Sequence, residues 1–246
     1  MAGRRRPSTG RGWDGVDPST RDSPDPAEPS PVIRVLVVDD HRTFAELLAR
    51  ALDAEPDLEC VGRAHTAEEA VRAVREHRPD LVLMDLQLPD RDGIATTEDL
   101  VDEFPHLKVL ILTAHAGPTE MARAGAAGAV GFLAKDGSLT DVLDALRSAQ
   151  LGSLILPPSV VAGFSIREGA DERPPGDQGI TPRELQVLRL LGLGHDPISI
   201  AKELGISVHA CRGHVKNIMA KLDVQSQLEA VFVASRSGLI SYGEPR

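Results

Sequence analysis

The stretch IRVLVVDD, residues 33–40, sets the pattern from which the fold of the first half of the chain follows. Five of its first six residues are apolar, two aspartates close it, and an amphipathic segment begins at Arg42. A short apolar run rich in β-branched residues is typical of a strand buried on both faces of a parallel sheet. We therefore expect a strand that ends at the aspartates and a helix that returns across the sheet.

Four further apolar runs repeat this pattern, and helical segments separate them. We predict strands over Ile33–Val38, Leu58–Gly62, Leu81–Met84, Lys108–Leu112 and Val130–Ala134. We predict helices over Arg42–Ala54, from the capping box Thr66–Glu69 to Pro79, over Ile94–Phe104, and from the cap Ser138 to about Gln150. Together these elements predict an α/β domain with a five-stranded, doubly wound parallel sheet.

From residue 181 onward the pattern is helical only. Thr181–Glu184 combines an N-cap, a proline at the first helical position and a glutamate at the third. A second helix is predicted over 196–204 and a third over 207–222, and the three-residue turn between them has the spacing of a helix-turn-helix. With a fourth helix over 227–237, the pattern predicts an all-α, four-helix helix-turn-helix domain.

The 246 residues are enough for two domains of ordinary size. Residues 1–31 are rich in Pro, Ser, Gly and Arg and show no apolar periodicity, which predicts a disordered tail. Residues 151–178 contain several prolines and glycines and are interpreted as a linker. The predicted domains are therefore 32–150 and 179–246.

Composition narrows the class of protein. No apolar run approaches the roughly 18 residues that cross a bilayer, and the first thirty residues lack the apolar segment of a secretory signal. We therefore expect a cytoplasmic protein that has no membrane partner. Cys60 and Cys211 fall in separate apolar-periodic segments, so we interpret them as free thiols.

The net charge of −10 is distributed unevenly. Residues 33–150 carry 12 Lys and Arg against 22 Asp and Glu, whereas residues 180–246 carry 8 against 6. This asymmetry indicates a cation site in the first domain and a polyanionic partner for the second. The small positive margin does not by itself give tight DNA binding, because that affinity comes from neutralised phosphates.

Five polar residues stand at the carboxyl ends of the predicted strands. Asp39 and Asp40 end the first strand, Asp85 the third and Thr113 the fourth, and Lys135 follows the fifth. Ligands of parallel sheets bind at these ends. Three clustered carboxylates repel one another unless a divalent cation is present, and their oxygens are the ligands that Mg²⁺ prefers. A single aspartate at a strand end usually caps a loop, but the full set favours a site that accepts a phosphoryl group.

The motifs VLVVDDH, LVLMDLQLPDRDG, VLILTAH and GFLAKD resemble the receiver domain of bacterial response regulators over about residues 33–150. The resemblance implies a flavodoxin-like fold in which Asp85 is the phosphoacceptor and Asp40 a direct Mg²⁺ ligand. It further implies that Asp39 acts on the metal largely through water and that the Gln87 carbonyl completes the protein ligands.

The same resemblance assigns a switch. Thr113 and Phe132 match the pair in which the hydroxyl moves toward the phosphoryl group and the ring turns inward, and Lys135 matches the lysine that contacts phosphate. One stretch departs from the family pattern: Pro118, Gly125 and Gly128 disfavour a long fourth helix. Because of this departure, the sequence does not identify the face that the protein uses for signalling and dimerisation. The alternative is that a short, Ala-rich helix packs there without any consequence for signalling.

The third C-terminal helix has a buried stripe and a polar face. The apolar positions are Val208, Cys211, Val215, Ile218, Met219 and Leu222. Opposite them lie His209, Arg212 and Lys216, and a polar edge is formed by His214, Asn217 and Lys221. Periodicity alone also fits a solvated helix of a bundle that does not bind DNA.

The segments ITPRELQVLRLL, IAKELGIS and HVKNIMAKL resemble the LuxR-type helix-turn-helix of the NarL branch of response regulators, over about residues 179–240. The resemblance implies that Arg212, Gly213 and Lys216 face the major groove, with His209 on the same polar face. It places His214, Asn217 and Lys221 near the DNA backbone. Arg212 is the candidate for a base contact, since a guanidinium can bridge guanine O6 and N7; Lys221 is the candidate for a phosphate contact.

Several positions depart from that pattern. Ala210 and Gly213 stand where the family usually has larger residues, Ile198 where it commonly has lysine, and Gln225–Gln227 where it often has arginine. Glycine inside a helix costs about 1 kcal/mol relative to alanine. We therefore expect weak binding of DNA by the monomer and a strong dependence on dimerisation.

These features predict a phosphorylation-switched transcription regulator and not an enzyme. A sensor histidine kinase would phosphorylate Asp85 with Mg²⁺, and a homodimer would then bind promoter DNA. One alternative is a phosphorelay or protein-interaction module whose C-terminal helices bind protein. A phosphatase of the haloacid-dehalogenase kind would need a second aspartate two residues after the nucleophile, where this chain has Gln87.

Overall fold

The computed structural model describes residues 32–114, 117–156 and 179–240. Its first part has five strands: β1 (Ile33–Val38), β2 (Leu58–Ala64), β3 (Leu81–Asp85), β4 (Lys108–Thr113) and β5 (Gly131–Ala134). Its helices are α1 (Arg42–Asp53), α2 (Ala67–His77), α3 (Gly93–Glu103), α4 (Pro118–Ala126) and α5 (Leu139–Leu151). The sheet is parallel throughout, in the order β2-β1-β3-β4-β5. Every predicted strand is present, with bounds that differ by two residues at most. The predicted tail, 1–31, lies outside the described residues, as does most of the predicted linker.

Alternate residues of the strands bury opposite faces of this sheet. One face packs with α1 and α5 and contains Val35, Val37, Leu81, Leu83, Leu110 and Leu112. The other packs with α2, α3 and α4 and contains Leu36, Val38, Val82, Met84, Ile111 and Phe132. Because both faces are covered, the strands are apolar without alternation, as parallel sheets require. The buried strands fix the positions at which their carboxyl ends meet.

Helix starts follow the caps that the sequence contains. Ser138 forms the capping box of α5 with Asp141. At α2 the Thr66 hydroxyl accepts from the Glu69 amide, but the Glu69 carboxylate accepts from the amide of His65. The predicted reciprocal box at Thr66 is therefore shifted by one residue, because the preceding amide lies within reach of the glutamate.

Helix α4 is short, as its glycines and proline predict. It has nine residues, begins with Pro118 in its first turn, and is followed by Gly128 at a φ of 89°. Helix α4 packs against the fourth C-terminal helix, Gln227–Arg236. The face that this protein uses for signalling and dimerisation stays a prediction with both alternatives open.

The second part of the structure consists of the four predicted helices. They are α6 (Pro182–Gly192), α7 (Pro197–Leu204), α8 (Val208–Leu222) and α9 (Gln227–Arg236). Thr181 and Glu184 form the predicted capping box, and Gly205, in the left-handed conformation, ends α7. Within the described ranges, no helix combines the length and the apolar character that crossing a membrane requires.

The two parts pack against each other through α4 and α9. The Ser226 hydroxyl donates a buried hydrogen bond of 2.6 Å to the carbonyl oxygen of Gly125. A Cβ atom at Gly125 would lie 3.1 Å from the amide nitrogen of Glu229, which is closer than side chains ordinarily approach. Gly125 therefore lets the two helices meet at backbone distance, and one apolar cluster continues from the sheet into the C-terminal helices.

The residues after α5 extend the sheet. The amide of Ile155 donates to the carbonyl of Val130, and the carbonyl of Ile155 accepts from the amide of Phe132 at 2.7 Å. A Cβ at Gly131 would lie 2.2 Å from the Ile155 carbonyl oxygen, so only glycine fits there. The start of the segment predicted as linker is therefore attached to β5, beside the predicted switch residue.

Candidate phosphoacceptor site and nucleic-acid interface

Three aspartates meet where β1 and β3 end. Asp39 is fully buried and Asp85 is 4% exposed, whereas the side chain of Asp40 is 39% exposed. One potential ligand atom from each of these residues and from His41 falls within a group no wider than 4.8 Å. The structure thus brings together the carboxylates that the sequence placed at the strand ends. A hard divalent cation fits this set, since oxygen donors dominate it.

Lys135 neutralises part of this cluster. Its Nζ lies 2.7 Å from Oδ2 of Asp39 and 2.7 Å from Oδ2 of Asp85. Burial by itself would lower the pKa of Lys135, but its ion pairs with the two aspartates outweigh burial, and the pKa is raised. The lysine is therefore a fixed cation between the buried carboxylate and the proposed acceptor.

Thr113 and Phe132 lie beside the same strand ends. Thr113 is buried at the end of β4, and its carbonyl accepts from the amide of Lys135 at 2.9 Å. Phe132 is 1% exposed. The resemblance predicts that the Phe132 ring turns inward on phosphorylation, and in this structure the ring is already buried. The backbone amide of Phe132 donates to the carbonyl of Ile155.

The loop after β3 closes the site. The amide of Gln87 donates to Oδ1 of Asp85 at 3.3 Å, and Gln87 pairs with Asp92 in an isolated antiparallel bridge. The amide of Gly93 donates to the carbonyl of Leu86. These bonds fold residues 86–93 back on the strand end and keep Gln87 next to the acceptor carboxylate.

Two residues at this site were not found from the sequence. His41 places Nδ1 2.9 Å from Oδ1 of Asp40, and the ring centroid of Phe44 lies 5.6 Å from Nζ of Lys135. Their positions in the sequence could have indicated them. Both residues follow the aspartates within one helical turn, and the helix after β1 must begin at the edge of the sheet where ligands bind. Together with Asp85, Thr113 and Lys135, Phe44 lines a cleft of about 890 Å³ that is open to solvent.

Helix α8 shows the predicted two-sided character. Its buried stripe contains Cys211, Val215, Ile218 and Leu222, and Ser207 caps it by accepting from the Ala210 amide. The predicted DNA-facing residues His209, Arg212, Gly213, Lys216, Asn217 and Lys221 are exposed, and His214 is half-buried. The polar face is thus available to a large ligand along most of its length.

Lys221 already has intramolecular partners. Its Nζ lies 2.6 Å from Oε2 of Glu184 and donates to the carbonyl of Gly179 at 2.8 Å. Glu184 is 3% exposed; burial raises the pKa of its carboxyl, but Lys221 and Thr181 lower it by more. The lysine predicted to contact phosphate therefore also joins α8 to α6.

The charges of Lys108, in β4, and Arg212, in α8, influence each other. Burial lowers the pKa of Lys108, at the start of β4; the negative charge of Asp80 opposes this lowering, and the positive charge of Arg212 adds to it. Lys108 is held by donating to the carbonyl and the side-chain oxygen of Gln150.

The first part of the structure has a parallel five-stranded sheet with three aspartates and a lysine at its strand ends, and the second part has a helix-turn-helix. This combination defines a phosphorylation-controlled regulator of transcription. Comparisons with known proteins agree with this class. Residues 35–147 match the model of the response regulator receiver domain, and residues 178–234 match that of bacterial regulatory proteins of the luxR family. The chain belongs to the family of response regulators with a LuxR-type DNA-binding domain.

The relatives support this membership over most of the chain. The response regulator protein VraR of Staphylococcus aureus is 34% identical over 208 residues, which cover 85% of this chain and 99% of VraR. A LuxR-family two-component response regulator of Aurantimonas is 32% identical, with a TM-score of 0.50 over 52% of this chain and 91% of that one. The RcsB response regulator of Salmonella typhimurium, in a structure described for its conformational dynamism for DNA interaction, is 25% identical to this chain. The TM-score is 0.50, and the match covers 82% of this chain and 99% of that one.

These findings confirm the predicted fold and class of function. The protein is a DNA-binding transcription regulator controlled by phosphorylation, and not an enzyme. A receiver implies a phosphodonor kinase as partner, and a LuxR-type domain implies DNA.

Proposed function

We propose that Asp85 is the phosphoacceptor through which a sensor histidine kinase controls binding of this protein to promoter DNA. The observation that carries the proposal is the position of Lys135, whose ammonium group bridges Asp39 and Asp85 in an open cleft. A carboxylate oxygen of Asp85 would attack phosphorus of a phosphohistidine. The phosphorus–nitrogen bond breaks, a phosphorus–oxygen bond forms, and the imidazole leaves.

The acidic cluster fits Mg²⁺. We propose that Asp40 and Asp85 ligate it directly, that Asp39 acts largely through water, and that the Gln87 carbonyl completes the protein ligands. When bound, the ion neutralises the carboxylates and the charge of the incoming phosphoryl oxygens. The chemistry of the donor set supports this assignment, since the carboxylates of Asp39, Asp40 and Asp85 converge.

The chain's own residues then hold the phosphoryl group. Lys135 is a cation already within hydrogen-bond distance of Asp85, so it can pass one bond to a phosphoryl oxygen with little movement. The Thr113 hydroxyl would donate to another oxygen. These contacts act on the phosphoryl oxygens, where charge develops during the transfer.

The switch would reach the second domain through the hydrogen bond from the Ser226 hydroxyl to the Gly125 carbonyl of α4, while the residues after α5 stay attached to β5. Phe132 is joined to Ile155 by a 2.7 Å hydrogen bond, and α4, which follows β4 and Thr113, is joined to Ser226. We propose that the Thr113 hydroxyl moves toward the phosphoryl group, that Phe132 follows, and that this change at the end of β4 weakens the contact between Gly125 and Ser226. The C-terminal domain would then be released and bind DNA as a homodimer in the cytoplasm.

On DNA, the exposed face of α8 would enter the major groove. We propose that Arg212 contacts a base and that Gly213 and Lys216 face the groove. His214, Asn217 and Lys221 would approach the sugar-phosphate backbone, and His209 would lie on the same face of the helix as Arg212. Phosphate would compete with Glu184 for Lys221, so this residue contributes less affinity than a free lysine.

The test uses acetyl phosphate with Mg²⁺ on the full chain and on the Asp85→Ala variant. Only the wild type should gain an acid-stable, hydroxylamine-labile phosphoryl group, and phosphorylation should increase its retention of duplexes from a random-sequence DNA library. Equal labelling of both proteins would refute the role of Asp85. Unchanged enrichment of duplexes by an Arg212→Ala variant would favour a protein partner for the C-terminal helices instead.

A further inference from the structure

The ring of Phe44 lies beside the one lysine of the proposed phosphoacceptor site. Its centroid is 5.6 Å from Nζ of Lys135, within the distance at which an ammonium group is attracted to the face of an aromatic ring. Phe44 is half-buried in the first turn of α1, and it lines the same cleft as Asp85 and Lys135. The contact is thus built by the helix that starts immediately after the paired aspartates.

We propose that Phe44 is a positioning residue for phosphorylation, acting through Lys135. This inference rests on the proposed function of Asp85 and adds a residue that lies outside the motifs quoted for the resemblance. Lys135 has three N–H donors on a flexible stem, and two carboxylates 2.7 Å away hold it from one side. The π face of the ring gives the cation a further favourable contact in the same cleft.

The contact matters most during phosphoryl transfer. Asp85 must give up negative charge when its oxygen bonds to phosphorus, so Lys135 loses one of its two anionic partners. Attraction to a ring face does not depend on any single N–H bond. The ring can therefore hold the ammonium group in the cleft while one hydrogen bond passes from Asp85 to a phosphoryl oxygen.

Two simpler roles for Phe44 predict different behaviour. A ring that only fills space should be replaceable by any apolar group of similar size. A ring that only docks the kinase, together with the exposed Leu47 one turn along α1, should have no effect when the phosphodonor is a small molecule. Only the cation–π role depends on the electron density of the ring.

The experiment follows the initial rate of Asp85 phosphorylation by acetyl phosphate with Mg²⁺ in the full chain. Position 44 would carry phenylalanine, 3,5-difluorophenylalanine, pentafluorophenylalanine, tryptophan or leucine. We expect the rate to fall along the fluorinated series, with Phe44→Leu and the pentafluoro variant about two- to fivefold slower than wild type. Phe44→Trp should restore or exceed the wild-type rate, because indole binds cations best.

A matched control separates this effect from lost packing. Phe104→Leu removes another half-buried phenylalanine ring, and Phe44 is the ring for which the described residues show a contact with a cation. It should lower stability without slowing phosphorylation. In addition, the ε-methylene protons of Lys135 should show a ring-current shift in the NMR spectrum of wild type that disappears in Phe44→Leu.

The outcomes are distinguishable. Equal rates across the fluorinated series, or a tryptophan variant as slow as leucine, would overturn the inference while the wild type still accepts phosphate. Failure of the wild type itself to accept phosphate would instead refute the proposed function. Because the fluorinated rings keep nearly the size of phenylalanine, the series remains decisive even if Phe44→Leu does not fold.

Discussion

Removing the hydroxyl of Ser226 should open the contact between the two domains. The hydroxyl has two roles: its O–H donates to the Gly125 carbonyl at 2.6 Å, and its oxygen caps α9 by accepting from the Glu229 amide at 3.0 Å. The cap contributes about 1 kcal/mol to helix stability. The interdomain bond contributes a further ~1 kcal/mol, and more if the buried carbonyl is left without a donor.

A second serine allows these two contributions to be separated. Ser207 caps α8 by accepting from the Ala210 amide at 3.1 Å, and it is exposed. Ser207→Ala therefore loses a cap alone, whereas Ser226→Ala loses a cap and the bond between domains. The difference, about 1–2 kcal/mol, should favour the open arrangement by roughly 5- to 30-fold.

Hydrogen exchange read by mass spectrometry measures this directly. Amides of α4, Pro118–Ala126, should exchange about 5- to 30-fold faster in unphosphorylated Ser226→Ala than in wild type, and should be unaffected in Ser207→Ala. Wild type treated with acetyl phosphate should approach the Ser226→Ala pattern. If both serine variants exchange alike in α4, the bond to Gly125 does not hold the domains together and our explanation of the switch is wrong.

Three further predictions concern single positions. Gly213 is exposed and a Cβ there would meet nothing within 4 Å, so Gly213→Ala should raise the free energy of unfolding by about 1 kcal/mol; an unchanged denaturation midpoint would contradict this. Asp40→Asn removes an anionic ligand and should raise the Mg²⁺ concentration for half-maximal phosphorylation more than about tenfold, whereas an unchanged titration would exclude Asp40 as a ligand. Folding lowers the pKa of Glu184, so its carboxylate stabilises the protein above its unfolded pKa, and that contribution is lost as the pH falls through the folded value. Glu184→Gln should therefore cost about 2 kcal/mol at pH 7 and progressively less below pH 4.5; a cost that does not vary with pH would argue against the ion pair with Lys221.

The sequence predicted the strands and caps because their signals are local. The apolar runs of β1 and β3 are short and continuous, and the aspartates that follow them occupy strand ends in any parallel arrangement. The same reasoning predicted that Asp39, Asp85 and Lys135 converge, and they do within hydrogen-bond distance. Here periodicity and topology were sufficient.

Features that depend on contacts between distant segments were not predicted. From the local sequence, Gly125 is predicted only to disfavour a long helix. Its contact with Glu229, more than a hundred positions away, shows that glycine lets two helices approach closely at this position. The sequence predicts Lys221 to be a free cation on the polar edge of the helix, but its ammonium group donates to the carboxylate of Glu184. Such pairs need the register of two packed helices, which no local pattern specifies.

The attachment of Ile155 to β5 has a consequence for the behaviour of the protein in solution. β5 is a border strand of the sheet, and a bare border presents unpaired amides and carbonyls to which another chain can add. The bonds to Ile155 occupy two of those groups, the Val130 carbonyl and the Phe132 amide. If phosphorylation also pulled Ile155 away, activation would expose a template for aggregation. A regulator that must work repeatedly therefore gains from keeping this short segment on the receiver while the DNA-binding domain moves.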